Sequence, residues 1–174
     1  VKCDRLVVPA LPGPTGFPHP RAVKWLREFF QLPFSSEGKL RLCLQRAKPG
    51  RRAWLPSAEL QKKLNRSGFQ TVSMEDLSLK DQAALISQAS EILAPHGAAL
   101  AWLALAPQGC RVTELVPAEY PNPCFYRLSR IRRLHHTVLF SGSAQTSPTW
   151  DLHPSASAFP LEQLIRDSLG MHEV

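Results

Sequence analysis

The sequence predicts an α/β protein with a parallel sheet and helices on both of its faces. Short apolar segments of strand character alternate along the chain with helical segments of roughly 10 residues, which is the pattern of βαβ units. A tight turn of small residues at 95–99 ends one apolar segment and opens the next, as where a strand runs into a helix. The chain has 174 residues, 44% of them hydrophobic, which is enough for one domain with a core of its own.

The first third of the chain predicts two strands and a helix. A short strand at 5–8 precedes a proline-rich loop. A helix begins near Pro20, since proline is favoured in the first turn, and it runs through Trp25 and Phe29. Residues 40–45 alternate weakly between polar and apolar side chains and predict the second strand.

The rest of the chain predicts alternating helices and strands. Leu60 and Leu64 lie on one face of a helix that ends before Gly68. Ser78 and Asp81 have the spacing of a helix N-cap. Helices are predicted at 57–66, 79–90, 98–106, 123–132 and 160–169, and strands at 69–73, 91–94, 111–116 and 136–140.

The turn Pro95-His96-Gly97-Ala98-Ala99 predicts an anion site. The first backbone N–H groups of a helix have no intrahelical acceptor and lie at the positive end of the helix dipole. Gly97 and the two alanines allow a ligand to approach the main chain closely. The alternative is a buried strand–helix turn in which His96 only forms a structural hydrogen bond.

The positive charge is concentrated in one region. The net charge is +7, and residues 39–66 carry nine basic side chains and one acidic side chain, Glu59. Basic patches attract partners that carry phosphate. A solvated helix face explains part of the charge, but Arg46, Arg51 and Arg52 follow the strand at 40–45, and ligands of open α/β sheets bind beyond the carboxyl ends of strands. A second cluster lies on the helix at 123–132, where Arg127 and Arg130 are interpreted as surface charges.

The four cysteines have no metal-ligand spacing, so we expect reduced thiols in a reducing compartment. No apolar run approaches the roughly 20 residues of a membrane span. The expected location is therefore cytoplasmic, at most associated with the inner face of the membrane. Because the chain begins at Val1, we expect it to be a fragment of a longer protein.

Several spaced motifs occur together and in order. Upstream of them lie 4–9 and the segment that leads from His19-Pro20 into the first helix. The motifs themselves are Glu75-x-Leu77-Ser78-x-x-x-Gln82, Ala89-x-x-Ile92-x-Ala94-x-His96-Gly97-Ala98-x-Leu100, Pro107-x-Gly109 and Val112-x-Glu114-Leu115. Together they resemble the catalytic region of glycosyltransferase family 61 over roughly residues 4–140.

The resemblance implies one half of a GT-B fold, in which two Rossmann-like halves face a cleft. This chain is similar to the C-terminal half, which binds the nucleotide-sugar donor. Such enzymes are typically inverting, and the resemblance implies neither a bound metal nor a cofactor. The N-terminal half would be missing, with the acceptor site and the catalytic base on it.

The resemblance also implies roles for single residues. Guanidinium groups grip phosphate bidentately, which suits Arg46 and Arg52 to the diphosphate, with Arg51 as the fallback. Main-chain N–H groups at 97–99 would bind the same phosphates, and His96 is the candidate for a catalytic or donor-binding side chain. A carboxylate at Glu114 suits the ribose diol, with a surface ion pair as its alternative. Glu75 and Gln82 match family-like positions, with capping or structural roles as the alternative.

The resulting hypothesis is a glycosyltransferase, a hexosyl- or pentosyltransferase that acts in polysaccharide biosynthesis such as capsule assembly. Its partners would be a nucleotide-diphosphate sugar, a glycan or glycoconjugate acceptor and the missing half, but no nucleic acid. Two alternatives stay open: a basic module that binds nucleic acid or another polyanion, and a nucleotide-binding domain without catalysis. The expected organisation is an N-terminal link at 1–35, the donor-binding domain at 36–140, a linker at 141–159 and a C-terminal helix at 160–174.

Overall fold

The computed structural model describes residues 13–14, 16–31, 38–45, 56–117 and 122–141, together with residues 165, 168 and 169. Five strands form one sheet in which every neighbouring pair is parallel. The strand order is β2-β1-β3-β4-β5. The strands are β1 (Leu40–Gln45), β2 (Phe69–Ser73), β3 (Ala89–Pro95), β4 (Arg111–Pro117) and β5 (His135–Ser141). The predicted α/β fold with a Rossmann-like parallel sheet is confirmed.

Side-chain caps set the starts of the first three α-helices. His19 Nδ1 accepts a hydrogen bond from the Arg21 amide at 3.2 Å. The hydroxyls of Ser57 and Ser78 each accept from the amide three residues ahead, at 3.1 and 3.2 Å. The α-helices are α1 (Pro20–Phe29), α2 (Ala58–Arg66), α3 (Leu79–Ile86) and α4 (Cys124–Arg132).

Two predicted helices differ from those observed. Helix α3 ends at Ile86 rather than at 90, because the carbonyl of Gln88 accepts the amides of Lys39 and Leu40 at 2.7 and 2.9 Å and the chain then enters β3. The helix predicted at 98–106 is a 3₁₀ helix over Ala98–Leu105. A 3₁₀ helix repeats every three residues, which aligns the buried Leu100 and Leu103 along one face.

The core lies on both faces of the sheet, as predicted. On one face, Leu42 and Ile92 belong to a buried cluster that includes residues of α1, α3, α4 and the 3₁₀ helix. On the other face, Cys43 and Leu93 pack with Leu60 of α2 and with other buried residues. Because side chains alternate along a strand, adjacent residues of β1 and β3 serve opposite layers.

The second cluster also contains Ile165, which is fully buried. Ile165 and Ser168 are helical, within the helix predicted at 160–169. The predicted strand at 5–8, nearly all of the linker at 141–159 and the rest of the terminal helix lie outside the described residues.

Two arginines support the C-terminal end of the 3₁₀ helix. Arg27 of α1 donates to the carbonyl of Leu105 at 2.9 Å, and Arg132 of α4 donates to the carbonyl of Ala106 at 2.7 Å. Cations suit a helix C-terminus because the last carbonyls there lack intrahelical donors. Burial, with the nearby charge of Arg27, lowers the pKa of Arg132 to about 10, so Arg132 is cationic at neutral pH.

A close backbone approach at Gly38 predicts a large cost for a side chain there. A Cβ at Gly38 would lie 2.1 Å from the carbonyl oxygen of Ala89, a main-chain atom that cannot rotate away. We expect Gly38→Ala to lower the free energy of unfolding by about 2 kcal/mol or more, measured by urea denaturation. Gly68→Ala is the matched control, since Gly68 has φ +81° with open space around it and should cost only about 1 kcal/mol. Equal losses would contradict the steric explanation.

Candidate functional site

A cavity of about 190 Å³ opens at the carboxyl ends of β1 and β3. From β1 the chain crosses to β2 on one side, whereas β3 lies on the other side, so the strand order reverses between these two strands. Ligands of open α/β sheets bind at this switch point. The lining residues are Leu44, Gln45, Met74, Glu75, Gln82, Pro95, Gly97, Ala98, Ala99 and Trp102.

One wall of the cavity is the turn between β3 and the 3₁₀ helix. Gly97, Ala98 and Ala99 line it, and the first i→i+3 bond runs from the Leu100 amide to the Gly97 carbonyl at 2.9 Å. The amides before that bond have no acceptor within the helix. Their small side chains leave the main chain accessible, which is the arrangement that an anion site requires.

Another wall carries polar side chains from the segment around α3. Gln82 donates through Nε2 to the carbonyl of Leu77 at 2.9 Å, so it has the structural role left open by the sequence. It nevertheless lines the cavity together with the exposed Glu75. The ring of Trp102 adds an apolar surface, a contribution that the sequence did not predict.

The three arginines predicted to bind phosphate lie outside the described residues. Arg46 directly follows Gln45, which lines the cavity, and Arg51 and Arg52 come five and six residues later. The phosphate contacts of all three arginines stay predictions.

His96 and Glu114 meet in a buried hydrogen-bonded chain of four side chains. His96 Nδ1 lies 2.5 Å from Glu114 Oε1, and His136 Nε2 lies 2.9 Å from Glu114 Oε2. The hydroxyl of Ser129 lies 2.6 Å from His136 Nδ1. Glu114 is 1% exposed and His96 is 5% exposed.

Glu114 is a carboxylate at neutral pH. Burial acts to raise its pKa, but hydrogen bonds from His136 and His96, and their charges, outweigh burial and lower the pKa below its ordinary value. Each carboxylate oxygen has a histidine partner and Glu114 is almost fully buried, so the surrounding residues would have to move before a ribose diol could reach it. The ribose contact of Glu114 stays a prediction.

His96 is absent from the residues that line the cavity, since its ring bonds Glu114 and packs against Phe125 with centroids 4.9 Å apart. The structure thus gives His96 the turn-forming contact that was the alternative to a ligand contact. Its catalytic role stays a prediction.

No role for His136 or Ser129 was predicted from the sequence. Glu114 is opposite Val138 in the β4–β5 register, so His136 is its diagonal neighbour on the same face of the sheet. The strand order and register that create this contact are not readable from local patterns. The only available signal was a histidine at the start of a predicted strand.

Arg127 and the described cysteines do not line the cavity. Arg127 donates to the carbonyl of Gly16 at 3.3 Å and its guanidinium lies 3.7 Å from the ring centroid of Phe17. Cys43, Cys110 and Cys124 are free thiols, and burial raises the pKa of Cys43 and Cys110 to about 12.

The described ranges contain neither a cluster of metal ligands nor a membrane span. Among these residues, no group of three or more His, Cys, Asp and Glu side chains could hold a metal ion. None of the helices in these ranges has the length and apolar character of a membrane-spanning helix.

Comparison with known proteins identifies the family. No curated protein sequence matches the chain. The family model described as Glycosyltransferase 61 matches residues 1–113, which include the basic segment after β1, the cavity walls and the turn at 97–99. Glu114 lies one residue beyond the match. The match spans well over half of the 174 residues and supports glycosyl transfer as the general activity. The chain belongs to glycosyltransferase family 61.

Proposed function

We propose that this chain is the donor-binding portion of a glycosyltransferase that moves a sugar from a nucleotide-diphosphate donor to a glycan or glycoconjugate acceptor. The observation that carries the proposal is the cavity at the β1–β3 switch point. Main-chain amides form one of its walls, and a segment with three arginines continues from another. We place the reaction in polysaccharide biosynthesis, such as capsule assembly at the inner face of the membrane.

The chemistry requires positive charge where the diphosphate leaves. As the bond between the sugar C1 and the phosphate oxygen breaks, its electron pair moves to that oxygen and the nucleoside diphosphate leaves. The acceptor hydroxyl forms the new bond to C1 and gives its proton to the catalytic base, which the proposal places on the N-terminal half. Preorganised donors stabilise charge that develops in the transition state. In the proposal, Arg46 and Arg52 and the amides at 97–99 take this role without a metal ion.

The hydroxyl groups of the donor need acceptors and the base needs a flat apolar surface. Glu75 is an exposed carboxylate at the cavity, and it suits a sugar or ribose diol better than the enclosed Glu114 does. Trp102 supplies an aromatic face at the same cavity. The described walls enclose only about 190 Å³, which is below the volume of sites that bury a drug-sized ligand. An N-terminal GT-B half would complete the enclosure in this proposal.

Calorimetric titration of the chain with UDP, GDP, CDP and dTDP, with magnesium and with EDTA, tests the proposal. We expect one diphosphate to bind with the same affinity in both buffers. Binding only with magnesium would contradict metal independence. Binding of none of the four, together with strong and salt-dependent binding of a long polyanion, would favour the alternative of a basic binding module.

A further inference from the structure

We propose that Glu114, with His136 and Ser129 behind it, is a positioning residue that orients the turn at 97–99 for donor binding. The inference rests on the proposed function for its ligand, a nucleoside diphosphate. It assigns to Glu114 an effect on the phosphates through the main chain, rather than a direct contact with the donor.

The first step is the double attachment of His96 to β4. Its amide donates to the carbonyl of Leu115 at 2.8 Å, and its ring bonds the carboxylate of Glu114. Pro95 is the last residue of β3, so these two contacts extend the β3–β4 pairing by one residue, up to the turn. The next three residues in the chain line the cavity. Any shift of His96 is therefore transmitted directly to the amides of the turn.

The second step is the negative charge of Glu114 within this hydrogen-bonded group of side chains. A buried carboxylate is costly unless it is paired and hydrogen-bonded, and Glu114 meets this condition through both oxygens. Hydrogen bonds with an ionised partner are roughly twice as strong as neutral ones. Replacing the carboxylate by an amide of the same size removes the charge and turns one acceptor oxygen into an NH2 donor, so it weakens the pairing with the histidines without leaving a cavity.

The third step is the support from more distant elements. The chain of contacts runs from the turn after β3 through β4 and β5 to Ser129 of α4, which is fully buried. Phe125 of α4 packs against the ring of His96 from a neighbouring position. Two elements, β4 and α4, thus contact His96 directly, and β5 supports it through Glu114, although His96 does not itself line the cavity. This is the arrangement of a supporting shell whose purpose is geometric precision.

The test compares Glu114→Gln, His136→Gln and Ser129→Ala in the full chain with a control variant, Glu59→Gln. Glu59 is an exposed carboxylate on α2 that pairs with Lys63 and does not line the cavity, so this control removes the same charge outside the His96–Glu114 cluster. For each variant, calorimetry gives the affinity for whichever of UDP, GDP, CDP and dTDP binds best, for its nucleoside and for its 2′-deoxy counterpart. For dTDP the counterpart is the ribose form. Thermal unfolding is recorded alongside.

We expect Glu114→Gln to weaken diphosphate binding by about tenfold or more while nucleoside binding stays within about twofold. The preference for ribose over deoxyribose should be unchanged. His136→Gln should cause a smaller loss of diphosphate affinity than Glu114→Gln, and Ser129→Ala a smaller loss still. Glu59→Gln should cause no loss. Equal loss for diphosphate and nucleoside would overturn the positioning role as a general effect on the fold, and loss of the ribose preference would overturn it in favour of a ribose contact.

Amide hydrogen exchange provides a second readout that needs no ligand. In Glu114→Gln, the amides of His96 and Leu100, which bond Leu115 and Gly97, should exchange faster, whereas the amide of Ser67 at the end of α2 should not change. Unchanged exchange at His96 and Leu100 would overturn the inference even if no diphosphate binds. Faster exchange there without any diphosphate binding would uphold the positioning of the turn and overturn the proposal that this chain binds the donor by itself.

Discussion

Replacing Arg46 or Arg52 by alanine is expected to weaken nucleoside diphosphate binding by one to two orders of magnitude, on the order of the 1.5–3 kcal/mol that a charge-assisted hydrogen bond contributes. Nucleoside binding should change little, because these guanidinium groups are proposed to contact only the phosphates. Isothermal titration of each variant with the diphosphate and with its nucleoside measures both quantities.

The control for these variants is Arg66→Ala, which removes a cation from the exposed end of α2. We expect it to leave diphosphate affinity unchanged at physiological salt, where charges beyond about 8 Å are screened. A loss as large as those of Arg46→Ala and Arg52→Ala would point to a general electrostatic effect. If Arg46→Ala or Arg52→Ala leaves diphosphate affinity unchanged, Arg51→Ala tests whether Arg51 contacts the phosphates instead.

Glu114→Ala is expected to lower the free energy of unfolding by about 3–5 kcal/mol at neutral pH, because it leaves two buried histidines without their shared partner. The pKa of Glu114 is lower in the folded protein than its ordinary value of 4.5. The carboxylate therefore contributes stability above pH 4.5, and this contribution is lost as the pH falls through the lowered pKa.

Urea denaturation at a series of pH values between about 3 and about 7 measures how the free energy of unfolding depends on pH. The difference in stability between the parent chain and Glu114→Gln should shrink as the solution becomes more acidic, since the parent carboxylate is then protonated as well. The exposed Glu59→Gln variant should follow the parent at every pH. A difference that stays constant down to acid pH would show that Glu114 contributes no charge-dependent stability.

The sheet was largely predictable from local patterns because each strand has apolar periodicity and clear boundaries. The strands at 40–45 and 69–73 match the structure residue for residue, since a cap and a glycine, Ser57 and Gly68, delimit the helix between them. The 98–105 segment was predicted as a helix but not as a 3₁₀ helix. It is apolar on all sides, so its periodicity does not distinguish the two, and tertiary packing decides.

The candidate site was predictable only in part. The sequence indicates the turn at His96, because a strand, small residues and a helix are consecutive there. It does not indicate that the ring of His96 leaves the cavity to meet Glu114, 18 residues away, nor that His136 completes the pair. These contacts depend on strand order and register, which are properties of the assembled sheet. Glu75 and Trp102 reach the cavity for the same reason.

The turn at 97–99 is supported by residues that follow it in the chain, and this order affects folding during synthesis. A growing chain that has reached Thr113 contains every residue of the cavity wall, yet it lacks Glu114, β5 and α4. Its turn would end on a histidine that lacks both the carboxylate of Glu114 and the carbonyl of Leu115. Since domains acquire their contacts as the chain emerges, the cavity should become competent for nucleotide only after residue 136 has left the ribosome. Shortened chains that retain the whole cavity but stop before α4 should therefore fold poorly and bind weakly.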